Sequence, residues 1–255
     1  MQVKHSFLVW AMGSFLLWVG CASQSQRIFQ EVRGKHHPAV TPTPIPFEAV
    51  KPWYGPRMEA INARLREGDV NILFVGNSIT HGWETTGKKY WDQYYAPRKA
   101  VNLGFGWDWT QHVLWRLDHT DFSHISPKLA VVLIGTNNSN GNDHTAQEIA
   151  DGIIAVVDRL HTRFPKMKIL LLAIFPREPE PCTQREKIAE ANRLASRIAD
   201  GKTIHFLDLG SLFLLKEGRL NQALMPDFLH PNEEGYRVWA EAMEPKIREL
   251  LGEEQ

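Results

Sequence analysis

Only two of the 255 residues are cysteine, Cys21 and Cys182, and they stand far apart. That excludes a disulfide framework and leaves stability to a buried core. Charge of either sign is not in excess: Lys and Arg total 29, Asp and Glu 29, for a net charge of zero. Without a basic field or a long charge run, nucleic acid is excluded as a partner. There is no HExxH and no paired-cysteine motif. The histidines at 36, 37, 112 and 119 lack the spacing of a metal site, so no metal is expected. No apolar stretch has the length of a membrane span. No internal repeat or second domain is visible.

At 43% hydrophobic and 23% charged residues, the chain can build one domain with a substantial core. Its first 21 residues read as an export signal, with Lys4 and His5 before the apolar run Phe7–Val19 and the small residues around Cys21. Gly20-Cys21 resembles a bacterial lipoprotein cleavage site, although Trp18 stands where that motif usually has leucine. Lipidation at Cys21 would attach the protein to a membrane of the cell envelope. An uncleaved anchor and a simple secretory peptide are the alternatives. Residues 22–52 are polar and then proline-rich (Pro38, Pro42, Pro44, Pro46, Pro52), which predicts an extended spacer, with the folded domain spanning 53–255.

Beyond that spacer, short Val/Ile/Leu-rich runs at 70–76, 100–104, 129–135, 168–176 and 203–210 alternate with helical patterns at 56–67, 109–118, 146–164, 184–200 and 232–251. In 146–164, Ile149, Ile153, Val156, Val157 and Leu160 recur at helical spacing. Alternation of this kind predicts an α/β fold, a three-layer α/β/α sandwich around a parallel five-stranded sheet. Ligands in such sheets bind beyond the carboxyl ends of the strands, so the polar residues there carry the question of function.

Four polar clusters fall at that edge: Gly76-Asn77-Ser78, "NLGFGWDWT" (102–110), "GTNNSN" (135–140) and "MPDFLHPNEEGY" (225–236). A serine nucleophile needs a base, the base needs an orienting acceptor, and the substrate oxygen needs donors already in place. Asp227 and His230 are spaced so that the carboxylate can fold back onto the imidazole. Asn137 offers an amide donor. The N–H of Ser78 and one from the 104–107 loop would complete an oxyanion hole. Singly, each is bland: Ser78 a helix cap, Asp227-x-x-His230 and Asn137 turn residues. Together they fall on one sheet edge in compatible order. His81 is either a substrate contact or a cap or packing residue of the following helix. Trp83, Trp107 and Trp109 flank the first two clusters and are candidate substrate walls, against a core role for Trp115. Asp208 and Asn221 read as turn formers, Cys182 as an incidental small residue.

In these blocks the chain resembles the SGNH/GDSL hydrolases, serine esterases and lipases with a flavodoxin-like fold, over roughly residues 53–250. "GNSI", "NLGFGWDWT", "GTNN" and "DFLHP" stand in that family's order, and "HVLWRL" (112–117) resembles the branch of the platelet-activating-factor acetylhydrolase catalytic subunits. The resemblance implies Ser78 as nucleophile, His230 as base, Asp227 as its orienter and Asn137 as oxyanion donor, with no cofactor. It also brings two departures. Asn77 stands where Asp is common, and Trp107 where glycine is usual; a positive φ at Trp107 would be strained and would shift the donor to Gly106. The activity implied is hydrolysis of short-chain esters, acetyl above all, through an acyl-enzyme. An acetylated carbohydrate is the expected substrate and a phospholipid-like ester the alternative. From outside enzymology the rival is a surface protein that only binds glycans.

Overall fold

The computed structural model describes residues 23–46 and 48–253. The expected export signal and lipidation site, residues 1–21, lie outside the described residues. Five strands, β1 (Ile72–Gly76), β2 (Ala100–Gly104), β3 (Leu129–Leu133), β4 (Lys168–Leu172) and β5 (Ile204–Leu207), form one sheet in the order β2-β1-β3-β4-β5. All four pairings are parallel. The central strands β1 and β3 are buried at every position, hence their unbroken apolar sequence.

Side chains alternate across the sheet with period two. Leu73, Val75, Ala130, Val132, Ile169 and Leu171 enter one core. That core is covered by α1 (Gln24–Arg33), α2 (Lys51–Arg66), α5 (Thr110–Asp118), α6 (Ala146–Arg163) and α7 (Thr183–Ala195). Phe74, Val131, Leu133, Leu170 and Leu172 enter the other, under α8 (Glu233–Leu251) and the segment after β1, which includes the short α3 (Ser78–His81) and α4 (Lys88–Tyr90). The architecture is therefore the three-layer α/β sandwich. The stripe Ile149, Ile153, Val156, Val157 and Leu160 is buried as its spacing requires, and Thr145 with Glu148 closes a capping box at the start of α6.

Among the described residues of 22–52, an extended spacer is not what forms. Ser23 caps α1 in a reciprocal capping box with Gln26, and Phe29 and Val32 are buried in the first core. Arg33 binds the Asp158 carboxylate through two bonds, of 2.6 and 2.7 Å, and Lys35 binds Asp151 at 2.9 Å. Even in the proline-rich part, Ala39 and Ile45 are buried. The folded body thus includes residues ahead of Trp53, from α1 onward among the described residues. Phe29 and Val32, with Ile28 partly buried beside them, bury enough apolar surface to hold so short a helix once α6 supplies the opposing surface.

Phe29→Ala tests this correction directly. Loss of about 3 kcal/mol in urea denaturation is expected for a buried phenylalanine; an unchanged midpoint would restore the spacer.

Candidate active site

β1 sits between β2 and β3 in register, with Gly76 opposite both Gly104 and Leu133. The strand order reverses at β1, so the crossovers from β1 and β3 leave a crevice at their carboxyl ends. Glycine is required at both strand ends by close approach. A Cβ on Gly76 would stand 2.1 Å from Thr80 Oγ1 and 2.3 Å from the Leu133 carbonyl, and one on Gly104 would stand 2.4 Å from the His81 nitrogen. Asn102 adds a tie: its amide donates to the Thr80 carbonyl at 2.9 Å and its oxygen accepts from Gly104 N–H at 2.7 Å.

Asn77, not Ser78, caps α3, accepting from Ile79 N–H at 3.1 Å. It is 1% exposed, a depth at which a neutral amide costs less than a carboxylate. Ser78 is left with its hydroxyl in the crevice, where Oγ stands 2.9 Å from His230 Nε2. His230 Nδ1 is 2.7 Å from Asp227 Oδ2. The Asp227-x-x-His230 turn is built by Asp227 itself, whose Oδ1 accepts from Leu229 N–H at 3.0 Å and His230 N–H at 2.7 Å. Phe228 takes φ +60° at its centre, and Asn232 caps α8 immediately after Pro231. The turn is held from outside by Glu178 N–H, which donates to the Phe228 carbonyl at 3.0 Å. Arg185 braces that neighbour in turn, donating to the carbonyls of Arg177, Glu178 and Gly218.

Burial raises the Asp227 carboxyl, but the bonds from His230 and Leu229 outweigh it and hold the group below its ordinary value. A carboxylate so held stays charged at neutral pH and favours one imidazole tautomer, with Nδ1–H toward Asp227 and Nε2 toward Ser78.

Around this relay lies a cleft of about 410 Å³, walled by Trp107, Trp109, Asn137 and Leu229, with Asn140 and Arg177 at one side. Asn137 Nδ2 donates to the Asp108 carbonyl at 2.9 Å. Trp107 does carry a positive φ, +70°, while Gly106 does not, so the strain expected of a non-glycine residue is present there; its indole is 62% exposed. Gly106 turns its open face to Trp53 and His81 instead. Trp109 is half-buried and packs on His144 and His112.

Two candidate substrate contacts are elsewhere. Trp83 is fully buried in the second core, with ring centroids 4.6 Å from Tyr236, 4.7 Å from Trp239 and 5.1 Å from Tyr95. Its spacing of four from the buried Ile79 places both on the face that packs beneath the sheet. His81 is not among the cleft-lining side chains; it lies against Trp53 at 5.6 Å. Asp208 and Asn221 form turns, accepting from Gly210 N–H at 2.8 Å and Ala223 N–H at 3.1 Å. Asn140, Leu229 and Arg177 were not singled out in the sequence. The available signal was position, since Arg177 is the first charged residue past β4 at the same edge. A separate cavity of about 490 Å³, between α7 and the open edge of β5, has no histidine in its lining and lies away from the relay.

A parallel α/β sheet with a serine, a histidine and an aspartate in hydrogen-bonded sequence at its switch point defines the class of α/β serine hydrolases. Residues 74–238 match the GDSL-like Lipase/Acylhydrolase family. The chain is 32% identical over 224 residues to the human protein named platelet-activating factor acetylhydrolase IB subunit alpha1, covering 87% of this chain and 94% of the relative. In fold it is similar to a GDSL-like lipase from Bacteroides thetaiotaomicron (TM-score 0.59, 22% identity, 77% of this chain and 98% of the other). It is also similar to the acetyl xylan esterase AlAXEase (TM-score 0.59, 20% identity, 70% of this chain and 100% of the other). The chain belongs to the GDSL-like lipase/acylhydrolase family and is a carboxylic ester hydrolase.

Burial lowers His112 and His81 to about 4 from 6.5. A folded value below the unfolded one means that acid protonates the unfolded chain first, so stability falls as pH drops from about 6.5 to about 4. Imidazole shifts in NMR spectra should keep both rings neutral at pH 5, and urea midpoints should decline over that window. Ordinary titration of both rings would contradict the burial described.

Proposed function

We propose that the protein is a serine esterase specific for short acyl groups, acetyl above all, and that its alcohol portion is a carbohydrate. The observation that carries the esterase chemistry is the relay Ser78 Oγ–His230 Nε2 at 2.9 Å and His230 Nδ1–Asp227 Oδ2 at 2.7 Å. Ser78 Oγ attacks the ester carbonyl carbon while its proton passes to His230 Nε2. Asp227 stabilises the imidazolium so formed. The carbonyl electrons move onto oxygen, which is met by the N–H groups of Ser78 and Trp107 and by Asn137 Nδ2. Collapse breaks the bond to the alcohol, and His230 returns the proton to the departing oxygen. Water, deprotonated by His230, then releases the acid and regenerates Ser78.

The positive φ at Trp107 is the condition expected to hand the donor role to Gly106, yet Trp107 N–H is preferred, because Trp107 lines the cleft whereas Gly106 faces Trp53 and His81. The left-handed conformation costs a non-glycine residue about 1–2 kcal/mol, a strain that points to a use for the position. An exposed indole beside Asn140 and Arg177 supports a sugar ring, whose face stacks on the aromatic surface while its hydroxyls meet the polar side chains. The names of the acetyl xylan esterase neighbour and of the acetylhydrolase relatives agree on the acyl group. The relatives' name also supports a second reading, a lipid esterase acting on platelet-activating-factor-like substrates.

Export and lipidation at Cys21 belong to the same proposal. Gln24 donates to the Arg197 carbonyl, just past the end of α7. That helix returns from the carboxyl edge of the sheet, so the first described residues emerge at the edge opposite the cleft. An anchor there would turn the cleft away from its own membrane, which favours a soluble or polymeric substrate.

Purified protein should hydrolyse p-nitrophenyl acetate, and Ser78→Ala should abolish this. Asp227→Asn, at a half-exposed site, should fold normally yet lose about 10⁴-fold in kcat; a near-normal rate would move the orienting role elsewhere. In a screen, acetylated xylan fragments should be better substrates than acetyl-phospholipids, and the reverse ranking would favour the lipid reading. Labelled fatty acid should enter the wild type and not Cys21→Ala.

A further inference from the structure

Beneath the cleft lies a group of buried polar side chains that the relay does not use. Asp108 is 0% exposed and Arg116 2%. Asp108 Oδ2 meets Arg116 Nε at 2.7 Å and Nη2 at 2.6 Å, and Oδ1 accepts from Tyr54 Oη at 2.8 Å. The Arg116 guanidinium lies 4.1 Å from the centroid of Phe105, whose other contacts include the Tyr54 ring at 4.6 Å. Burying an ion pair this deeply is weak support for stability, because desolvation offsets the attraction and apolar residues of like volume often do as well. Burial raises the Asp108 carboxyl to about 6 despite Arg116 and Tyr54, which registers that cost.

What the cluster does fix is the backbone of Asp108, and that backbone touches the site. The Asp108 carbonyl accepts one hydrogen of the Asn137 amide. The amide is planar and its nitrogen carries two hydrogens, so holding one sets the direction of the other. Asp108 also follows Trp107 directly, and the side-chain clamp restrains the peptide that links them. A parallel tie, Asn138 Oδ1 accepting from Thr110 N–H at 3.0 Å, keeps the two loops together without the ion pair.

We propose that Asp108, clamped by Arg116 and Tyr54, is the positioning residue that aims the second amide hydrogen of Asn137 into the cleft. This rests on the esterase reading above, with Asn137 as an oxyanion donor. Asp108 acts through Asn137 and does not touch substrate.

A double-mutant cycle tests it with p-nitrophenyl acetate. Tyr54→Phe removes one of the clamping bonds and leaves the ion pair. It should lower kcat about tenfold with KM within twofold, since an oxyanion donor acts in the transition state. In an Asn137→Ala background the same change should alter kcat less than twofold, because the group it positions is gone. Arg116→Lys, which keeps the charge and loses the hydrogen bond from Nε, provides a second cycle with the same expectation should Tyr54→Phe melt early. Equal fold losses in both backgrounds, or a loss expressed in KM, would make the cluster merely structural and overturn the proposal while the esterase reading stands. An inactive wild type would overturn both.

Discussion

Strand β1 ends level with both of its neighbours, and the cleft is a consequence of that register. Gly76 lies opposite Gly104 and Leu133, so the loops that follow these strands start at one height. Parallel pairing allows no slip without turning buried side chains to the wrong face, and here both faces of β1 are buried. Close packing then demands glycine at Gly76 and Gly104, because neighbouring atoms already occupy the space of a Cβ. Ser78, Asn137 and the 105–109 loop are brought together by sheet geometry, and His230 is delivered to them from beyond the last strand.

Polarity around the cleft is graded. Nearest the surface, the Asp227–His230 turn is half-exposed and built from short local bonds. Deeper, Asn77 and Asn102 are neutral and satisfied. Buried to the same depth is the charged pair Asp108–Arg116. Charge at that depth is expensive and calls for a geometric reason, and its link to Asn137 supplies one. Trp107 concentrates the same tension in one residue, a large aromatic held at positive φ and in solvent where glycine would be relaxed.

Much of this was legible because it is local. Apolar runs ending in glycine or proline marked the strands, the stripe in residues 146–164 marked α6, and Asp227-x-x-His230 carried its own turn chemistry. The parts that were not legible depend on partners distant in sequence. Helix α1 was hidden by the prolines that follow it, although Ser23 and Gln26 at capping-box spacing were a visible sign. Trp83 looked like a wall because it is near Ser78 in sequence; its spacing of four from Ile79 was the better guide. Nothing in the chain announced that Tyr54, Asp108 and Arg116 would meet.

The sequence by itself determined the alternation of strand and helix, the residue types for ester hydrolysis and their order along the chain. These follow from side-chain period and turn chemistry, which act over a few residues. Only the tertiary structure decided that Ser78 faces His230 across 152 positions, that Trp83 is core while Trp107 stands in the cleft, and that residues 23–46 belong to the folded body. Those outcomes depend on strand order and on which surfaces exclude water from one another, and both are properties of the assembled chain.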